Sequence, residues 1–248
     1  MATSKSKPLK TARPKSDHGA TEEVTLVCGC NRDVTATELG KIYSACGKSR
    51  IDQFLAHINK AFTNYGISSC LQKSHFLAQV GHESGQLRYV AEAGITAEVE
   101  RKNYKGYKGR GLIQITYKDM YEKYGNAVGH NFLDESKKDL EETSWASDSA
   151  GWFWKHGKSV DLSSYAAKND LIYISQKING AYNGFNDRKS LFQRGYKALL
   201  VDNCQNSSMC WDIENFTLPT SAAFAEAAPS FAWGLWHDST STKSGVTK

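Results

Sequence analysis

Glu83 is the side chain of this sequence best placed to donate a proton. It lies in HFLAQVGHESG, residues 75–85, at the C-terminal end of a predicted helix, where unpaired carbonyls act like about half a negative charge. Phe76 and Val80 share its helix face and would partly shield it from water. Both effects disfavour the carboxylate form, so the pattern predicts a general acid. A solvated surface glutamate is the ordinary alternative for a single Glu.

A second carboxylate is required if the reaction is hydrolysis of a glycosidic bond, because another group must activate water or attack the sugar. Glu92, Glu98 and Glu100 follow Glu83 closely. Glu92 lies nine residues on, a spacing that lets a short turn bring the chain back across a cleft. Glu100 is adjacent to Arg101, and the two would equally well form an exposed pair of little energetic value.

The segment RKNYKGYKGRG, residues 101–111, has the composition of a ligand-binding loop. It contains five basic residues, three glycines and no acid. Glycines let a backbone approach a ligand closely, and Tyr104 and Tyr107 offer flat faces on which sugar rings stack. A solvated hairpin is an equally common explanation of such a composition. If the segment lines a cleft, its charge suits an anionic polymer.

The charge of the whole chain does not predict a nucleic-acid partner. The formal charge is +5, but residues 1–15 carry five basic side chains and no acid. Outside that tail, 26 basic residues stand against 26 acidic ones. A neutral body argues against a large nucleic-acid-binding face.

No run of about eighteen apolar residues is present, and the basic N-terminus lacks the apolar stretch of a secretory signal. We therefore expect no membrane insertion and synthesis in the cytoplasm. A substrate outside the cytoplasm would require non-classical export or delivery to the periplasm or cell wall.

Six cysteines are present, and their even number suits disulfides in an oxidising space. Cys28 and Cys30 are separated by one residue, and no histidine pair follows at finger spacing, so the sequence predicts structural or free cysteines, no metal site and no cofactor. A cysteine amidase would pair a thiolate with a histidine. Cys70 and His75 are five residues apart on one helix, so their side chains would not lie on the same face.

Apolar periodicity predicts a mainly helical chain. Thr35 or Thr37 with Glu38 forms a helix start, and a small hairpin lobe or long loop is expected over 86–116. Helices are expected over 51–66, 70–83, 117–125, 137–156, 169–178 and 186–202.

The composition divides the chain into three parts. Residues 1–34 are expected to form a flexible basic tail and a short extended arm, and residues 35–205 the catalytic domain. Residues 206–248 are expected to form a C-terminal extension that docks loosely on the body or reaches a partner.

Four blocks in order, HFLAQVGHESG, YKGRGLIQIT, KINGAYNG and FNDRKSLF, resemble the glycoside hydrolase family 19 chitinases and their phage and bacterial lysozyme relatives. The similarity covers about residues 48–203. It implies a mainly α, lysozyme-like two-lobed helical fold with a small hairpin or loop lobe. It also implies hydrolysis with inversion at the anomeric carbon.

By motif, the resemblance assigns Glu83 as the general acid and Thr116 as a residue that holds the attacking water. In the phage lysozyme relatives the second Glu follows nine residues after the first, which selects Glu92 as the base. In the plant chitinases it lies further on before an Arg, a position that resembles Glu100. We predict Glu92, since the HESG and YKGRG blocks resemble the lysozyme branch.

The remaining matched positions are assigned to substrate binding. Tyr107, Gln114 and Asn179 resemble sugar-contacting residues, and Arg188 resembles the arginine that pairs with the catalytic carboxylate network. Met120 stands where the family usually has Asn, so one polar contact is absent.

The sequence thus predicts a hydrolase of the β-1,4 glycan strands of peptidoglycan, whose peptide carboxylates suit the basic loop. A cell-wall-lytic effector or an endolysin is expected, and an effector would need an immunity protein and a secretion machine as partners. A chitinase and an inactive wall-binding module are the alternatives.

Overall fold

The computed structural model describes residues 28–204 and 211–237, and within them the chain is mainly α, as predicted. Isolated bridges join Ala91 to Arg110 and Arg110 to Ile115, and the described residues contain no strand. The α-helices are α1 Ala36–Ile42, α2 Lys48–Tyr65, α3 Cys70–Glu83, α4 Ala97–Tyr104, α5 Lys118–Val128, α6 Thr143–Trp152, α7 Leu162–Ala166, α8 Leu171–Asn179, α9 Phe185–Ala198 and α10 Ala227–His237.

The first helices begin and end where local side chains satisfy their free backbone groups. Thr35 is the N-cap of α1, and it forms a capping box in which Thr35 and Glu38 each accept from the other's backbone N–H. α2 ends at Gly66, whose φ of 68° suits a residue without a Cβ. The predicted starts and stops of this region therefore follow from its caps.

Helix α3 is the centre of the larger lobe. Ser69 caps it through a box with Gln72, and almost every residue from Cys70 to Gly81 is buried. α3 packs along α9, and α9 also contacts α1. Gly81 lets α3 approach both neighbours closely. A Cβ at this position would lie 2.6 Å from the ring of Tyr43, which follows α1, and 3.1 Å from Leu191 of α9.

A smaller lobe follows α3 and corresponds to the predicted hairpin or loop region. It contains α4, which the glycine-rich pattern did not predict; Thr96 caps α4 by accepting from the backbone N–H of Val99. No residue of α4 is buried. The predicted helix over 137–156 is instead divided into a 3₁₀-helix, Asp134–Glu141, then α6, and a π-helical turn, Phe153–Gly157.

The C-terminal segment docks firmly, in contrast to the loose docking expected from its composition. The Asp170 carboxylate accepts hydrogen bonds from the Ser221 hydroxyl and the Ala222 N–H, both at 2.7 Å. Glu226 accepts from Tyr173 at 2.9 Å and from Lys177 at 2.7 Å. Charge-assisted bonds of this kind are stronger than neutral ones, so residues 211–237 are anchored to α8.

Most of the predicted basic tail and arm lies outside the described residues, and from residue 28 to 35 the chain has irregular structure. Across the described ranges, every helix is too short or too polar to cross a bilayer.

His75 supplies a test of the core, because it is fully buried in α3. Its ring stacks on Phe192 at 4.2 Å and its Nε2 lies 3.0 Å from the Asn169 Oδ1. Burial lowers the pKa of His75 to about 3, whereas an unfolded histidine titrates near pH 6.5. Below that pH the unfolded chain binds a proton that the folded chain does not, so stability falls as pH decreases through this window.

We predict that His75→Gln reduces the decrease in unfolding free energy between about pH 7 and pH 5, by up to about 1.4 kcal/mol per pH unit. Urea unfolding at several pH values measures it. His57→Gln is the control, since this side chain of α2 is accessible to water in both states and its loss should leave the slope unchanged. An unchanged slope in His75→Gln would contradict the prediction.

Candidate active site

A cleft of about 600 Å³ lies between the two lobes, where the end of α3, residues 85–93, residues 104–117 and the end of α8 meet. Its volume is in the range of pockets that hold small ligands. Five of the seven residues assigned to the site from sequence line this cleft: Glu83, Glu92, Gln114, Thr116 and Asn179.

Glu83 is fixed in the cleft by a buried guanidinium. Its Oε1 accepts a short, charge-assisted bond from Nη2 of Arg188, whose side chain is fully buried, whereas the Glu83 side chain is 18 % exposed. Arg188 also donates to the Gln79 Oε1 at 2.5 Å, and Gln79 donates to the Ser175 hydroxyl at 3.4 Å. This chain of contacts joins α9, α3 and α8 behind the carboxyl group.

The Arg188 contact changes two predictions. The sequence predicts the role of Glu83 from its helix end and its apolar neighbours, and the structure adds the buried Arg188 guanidinium against its carboxyl group. Arg188 was grouped with the substrate-binding residues, but its buried side chain does not reach the cleft surface. Its contact with Glu83 agrees instead with the predicted pairing to a catalytic carboxylate, so Arg188 is a positioning residue.

Glu92 is held as a hydrogen-bond acceptor. The Tyr104 hydroxyl donates to its Oε1 at 2.7 Å, and the backbone N–H of Gly109 approaches its Oε2 at 3.4 Å. The hydrogen bond to Glu92, followed by burial, raises the pKa of Tyr104 to about 12. Tyr104 therefore keeps its proton and donates it in a hydrogen bond to Glu92, which leaves the second carboxyl oxygen of Glu92 toward the Gly109 N–H.

Glu100, the alternative base, is not a cleft residue. Its Oε1 lies 3.0 Å from Nη2 of the buried Arg110, whose Nε donates to Glu141 at 2.8 Å. Nη1 of Arg110 contacts the Tyr121 hydroxyl at 3.0 Å. This ion-pair network occupies Glu100 in structural contacts, so the geometry favours Glu92 as the second carboxylate of the cleft.

Thr116 and Gln114 are cleft residues whose side-chain oxygens accept no hydrogen bond from the described residues. The Thr116 hydroxyl donates to the backbone carbonyl of Gln114 at 2.8 Å, which leaves its oxygen free to accept a hydrogen bond from water. Gln114 has φ of 59°, a sparsely populated conformation for a side-chain-bearing residue. Its Nε2 donates to the Gly111 carbonyl at 2.8 Å, while its buried Oε1 has no partner in the described residues.

Tyr107 is not where the sequence analysis expected it. Its side chain is buried, its ring packs edge-on against Tyr121 at 5.3 Å, and its hydroxyl lies 3.5 Å from Asp134. The aromatic residues that line the cleft are Tyr89, Tyr104 and Tyr117. Helix periodicity does not predict that Tyr117 lines the cleft in place of Tyr107. The left-handed φ of 71° at Tyr117, directly after Thr116, turns that residue outward.

His82 is a cleft residue that the sequence analysis missed, although it directly precedes Glu83. Its Nδ1 lies 2.7 Å from the Asp187 Oδ2, and this hydrogen bond lowers the pKa of Asp187. Gly184, with φ of 69°, permits the contact, since a Cβ there would lie 2.0 Å from the His82 ring. Gly184 is therefore required at this position, because any larger residue would collide with the His82 ring.

Two further sequence hypotheses concern residues outside the cleft. Met120 packs against the hydrophobic core and does not line the cleft. For the amidase hypothesis, the His75 Nε2 is hydrogen bonded to Asn169 and its Nδ1 has no partner among the described residues. The Cys70 sulfur is surrounded by other cysteines instead, so no thiolate–histidine pair forms.

The spacing of the cysteines in the sequence predicts no metal site, but the folded chain brings together a possible set of metal ligands. In the folded chain four of the six come together, and their sulfur atoms all lie within 4.8 Å of one another. We call this group the cysteine cluster; its members are Cys28, Cys30, Cys70 and Cys204. It lies at the N-terminal end of α3, and Glu83 lies at the other end.

Comparisons with known sequences agree with the resemblance. The family model described as "Chitinase class I" of the Glyco_hydro_19 family matches residues 86–173. A glycosyl hydrolase family 19 domain-containing protein of Haemophilus influenzae is 27 % identical over 208 residues, covering 68 % of this chain and 96 % of that protein. An endochitinase of Arabidopsis thaliana is 30 % identical over 117 residues, 42 % of each chain.

Solved structures show the same fold. A bacterial family 19 chitinase superposes with a TM-score of 0.57 at 18 % identity, covering 67 % of this chain and 94 % of that chain. The class IV chitinase of Zea mays gives a TM-score of 0.53 at 21 % identity, covering 70 % and 96 %. The predicted lysozyme-like helical fold is thereby confirmed.

We predict that Arg188→Met destabilises the fold by about 3 kcal/mol, because it leaves Gln79 and Glu83 without their buried partner. Urea unfolding measures the change. Lys189→Met is the matched control on the same helix, since Lys189 bonds to a carbonyl at the surface, and it should cost less than about 0.5 kcal/mol. Equal losses in the two variants would show that the guanidinium does not support the site.

Proposed function

We propose that this chain acts as a glycoside hydrolase of family 19, which it resembles, and that it cleaves the β-1,4 glycan strands of bacterial peptidoglycan by an inverting mechanism. One observation carries the proposal: Glu83 and Glu92 line the same cleft, each held by a different partner. Two carboxylates in unlike environments are what an acid and a base require.

In this mechanism the two carboxyl groups act on opposite sides of the sugar. Protonated Glu83 donates its proton to the glycosidic oxygen as the bond from that oxygen to the anomeric carbon breaks. Glu92 removes a proton from a water molecule, whose oxygen forms the new bond to the anomeric carbon from the opposite face. The products are one free hydroxyl on the leaving sugar and one inverted reducing end. The water requires a separation of about 6.5 to 9.5 Å between the carboxyl groups.

Thr116 is assigned to orient the nucleophilic water. Because its hydroxyl proton is directed to the Gln114 carbonyl, the oxygen accepts a hydrogen bond from the water and so turns a lone pair toward the sugar. Asn179, at the end of α8, supplies a further polar group at the cleft wall.

Two features of the cleft support an anionic amino-sugar polymer. Tyr89 and Tyr117 are 47 % and 54 % exposed, so sugar rings have free aromatic faces on which to stack. Three cations of α4 and its C-cap lie exposed next to cleft residue Tyr104: Arg101, Lys102 and Lys105. Peptide carboxylates of peptidoglycan would meet these charges, whereas chitin has no group that needs them.

Chitin is the second candidate substrate. The acid, base and water-holding residues would serve either polymer, and proteins similar to this chain are named as chitinases. An inactive wall-binding module is a weaker alternative. A module that only binds glycan does not need Arg188 buried against Glu83 or the Tyr104 hydroxyl directed at Glu92. Both arrangements cost free energy, because they remove polar groups from water.

Peptidoglycan as substrate places the site of action in the periplasm or at the cell wall. A phage endolysin released through a membrane pore and an antibacterial effector delivered by a secretion machine both fit this requirement. The effector would need an immunity protein in the producing cell.

Digestion of purified peptidoglycan and chitin, with products identified by mass spectrometry, tests the proposal. We expect new reducing ends from peptidoglycan and slower release from chitin. Glu83→Gln and Glu92→Gln should each lower the rate by at least about a hundredfold, because each removes a proton-transfer group.

Glu100→Gln is the matched control and should retain activity within about tenfold, since Glu100 is in the Arg110 network away from the cleft. New amino groups in place of reducing ends would indicate an amidase. Binding to sacculi without any product would favour the inactive module, and faster cleavage of chitin would transfer the proposal to the chitinase alternative.

The tyrosines provide a finer comparison. Tyr104→Phe removes the hydroxyl that donates to Glu92 and holds it in place, so kcat/KM should fall about tenfold. Tyr107→Phe, which removes a buried hydroxyl outside the cleft, should leave kcat/KM within about twofold. Steady-state kinetics on soluble glycan fragments measures the two variants. A larger effect at Tyr107 would restore the original sequence assignment.

A further inference from the structure

The cysteine cluster is assembled from three separate parts of the chain. Cys28 and Cys30 lie in the irregular segment before α1, Cys70 is the first residue of α3, and Cys204 follows the turn after α9. Segments separated by up to 176 residues thus place their sulfur atoms in one small volume. Chance proximity of four thiols is not expected in a chain with six cysteines.

The sulfur atoms of the cluster contact one another as a group of four and do not form two separate pairs. Cys204 Sγ lies 2.7 Å from Cys28 Sγ, 2.9 Å from Cys30 Sγ and 3.2 Å from Cys70 Sγ. Cys30 Sγ also lies 2.8 Å from Cys70 Sγ. Two disulfides would need each sulfur to face one partner, whereas here Cys204 approaches all three others. The sulfur atoms are closer together than the ~3.8 Å edge of a zinc–thiolate tetrahedron, so the side chains would move apart to hold one ion.

Hydrogen-bond donors and a positive charge lie beside the cluster. The backbone N–H of Cys70 donates to Cys30 Sγ at 2.9 Å, a contact typical of the groups that orient metal-bound thiolates. Cys70 lies at the N-terminal end of α3, where the helix dipole is positive. The buried Lys73 ammonium, one turn later, donates to the carbonyl of Gly29 at 2.8 Å and to that of Arg32 at 2.5 Å. Its charge therefore lies under the loop that carries Cys28 and Cys30.

We propose that the cysteine cluster is a structural zinc site in which four thiolates bind one Zn²⁺ tetrahedrally. Four sulfur ligands select zinc or iron–sulfur chemistry, and sulfur atoms that all lie within 4.8 Å of one another suit one ion better than a larger iron–sulfur cluster. Four protein ligands also leave no open position for a water or substrate, so the ion has no catalytic part.

The site would fasten the ends of α3 and α9 that lie away from the cleft. Cys70 begins α3 and Cys204 follows α9, while Glu83 ends α3 and Arg188 lies in the first turn of α9. The antiparallel pair is thus joined at one end by the Glu83–Arg188 ion pair and at the other by the metal, about 20 Å away. This role is independent of the substrate of the enzyme.

Two measurements on the full-length protein test the proposal without an activity assay. Elemental analysis of protein purified without added metal should give about one zinc per chain. Alkylation under denaturing, chelating conditions without reductant should then label all six cysteines, because a metal site keeps its thiols reduced. Two labelled cysteines with two disulfides, iron with labile sulfide, or six free thiols without metal would each overturn it.

Variants locate the metal. Cys204→Ser should lower the zinc content below about one fifth of the wild-type value, and Cys46→Ser should retain it, since Cys46 lies outside the cluster. Should Cys204→Ser fail to fold, cobalt substitution of the wild-type protein gives a second readout, because tetrahedral thiolate coordination produces strong visible and near-ultraviolet bands. Loss of zinc in Cys46→Ser, or the absence of these bands, would overturn the assignment.

Discussion

The ion pair between Glu83 and Arg188 is the interaction on which the arrangement of the site depends. A guanidinium cannot be buried without a partner, and this one obtains its partners from Gln79, Glu83 and the Asn183 carbonyl. The need to satisfy its donors fixes the register of α9 against α3. The same contact fixes the position of the Glu83 carboxyl group at the cleft. The Arg188 guanidinium therefore contributes both to the packing of α9 on α3 and to the placement of the Glu83 carboxyl group.

The second lobe positions Glu92 by a different means. Glycines at 106, 109 and 111 let residues 104–117 fold back on residues 90–92, and the Glu92 backbone N–H donates to the Gly109 carbonyl at 2.9 Å. Tyr104 then reaches Glu92 from the end of α4. Glu92 is thus held by a glycine-rich segment whose conformation is defined by short backbone contacts. This contrast between a helical support and a loop support gives the two carboxyl groups unlike surroundings.

The sequence predicted much of the fold because helix periodicity and caps are local signals. Gly66 and the Ser69–Gln72 box, for example, mark helix ends within a few residues. Placement of side chains relative to the cleft was less predictable. Tyr107 and Tyr117 differ in exposure because of a left-handed backbone at Tyr117, which no residue type announces. The cysteine cluster was also missed, since its members meet only through tertiary packing of segments distant in sequence.

The firmly docked C-terminal segment defines how much of the chain behaves as one unit. Trp233 packs edge-on against Tyr182 at 4.9 Å and against Phe185 at 5.2 Å, at the start of the helix that carries Arg188. A recombinant domain cut at residue 204 would expose these rings to water and lose the anchors on Asp170 and Glu226. The minimal soluble fragment for crystallisation or engineering should accordingly extend to residue 237, beyond the limit of the family resemblance.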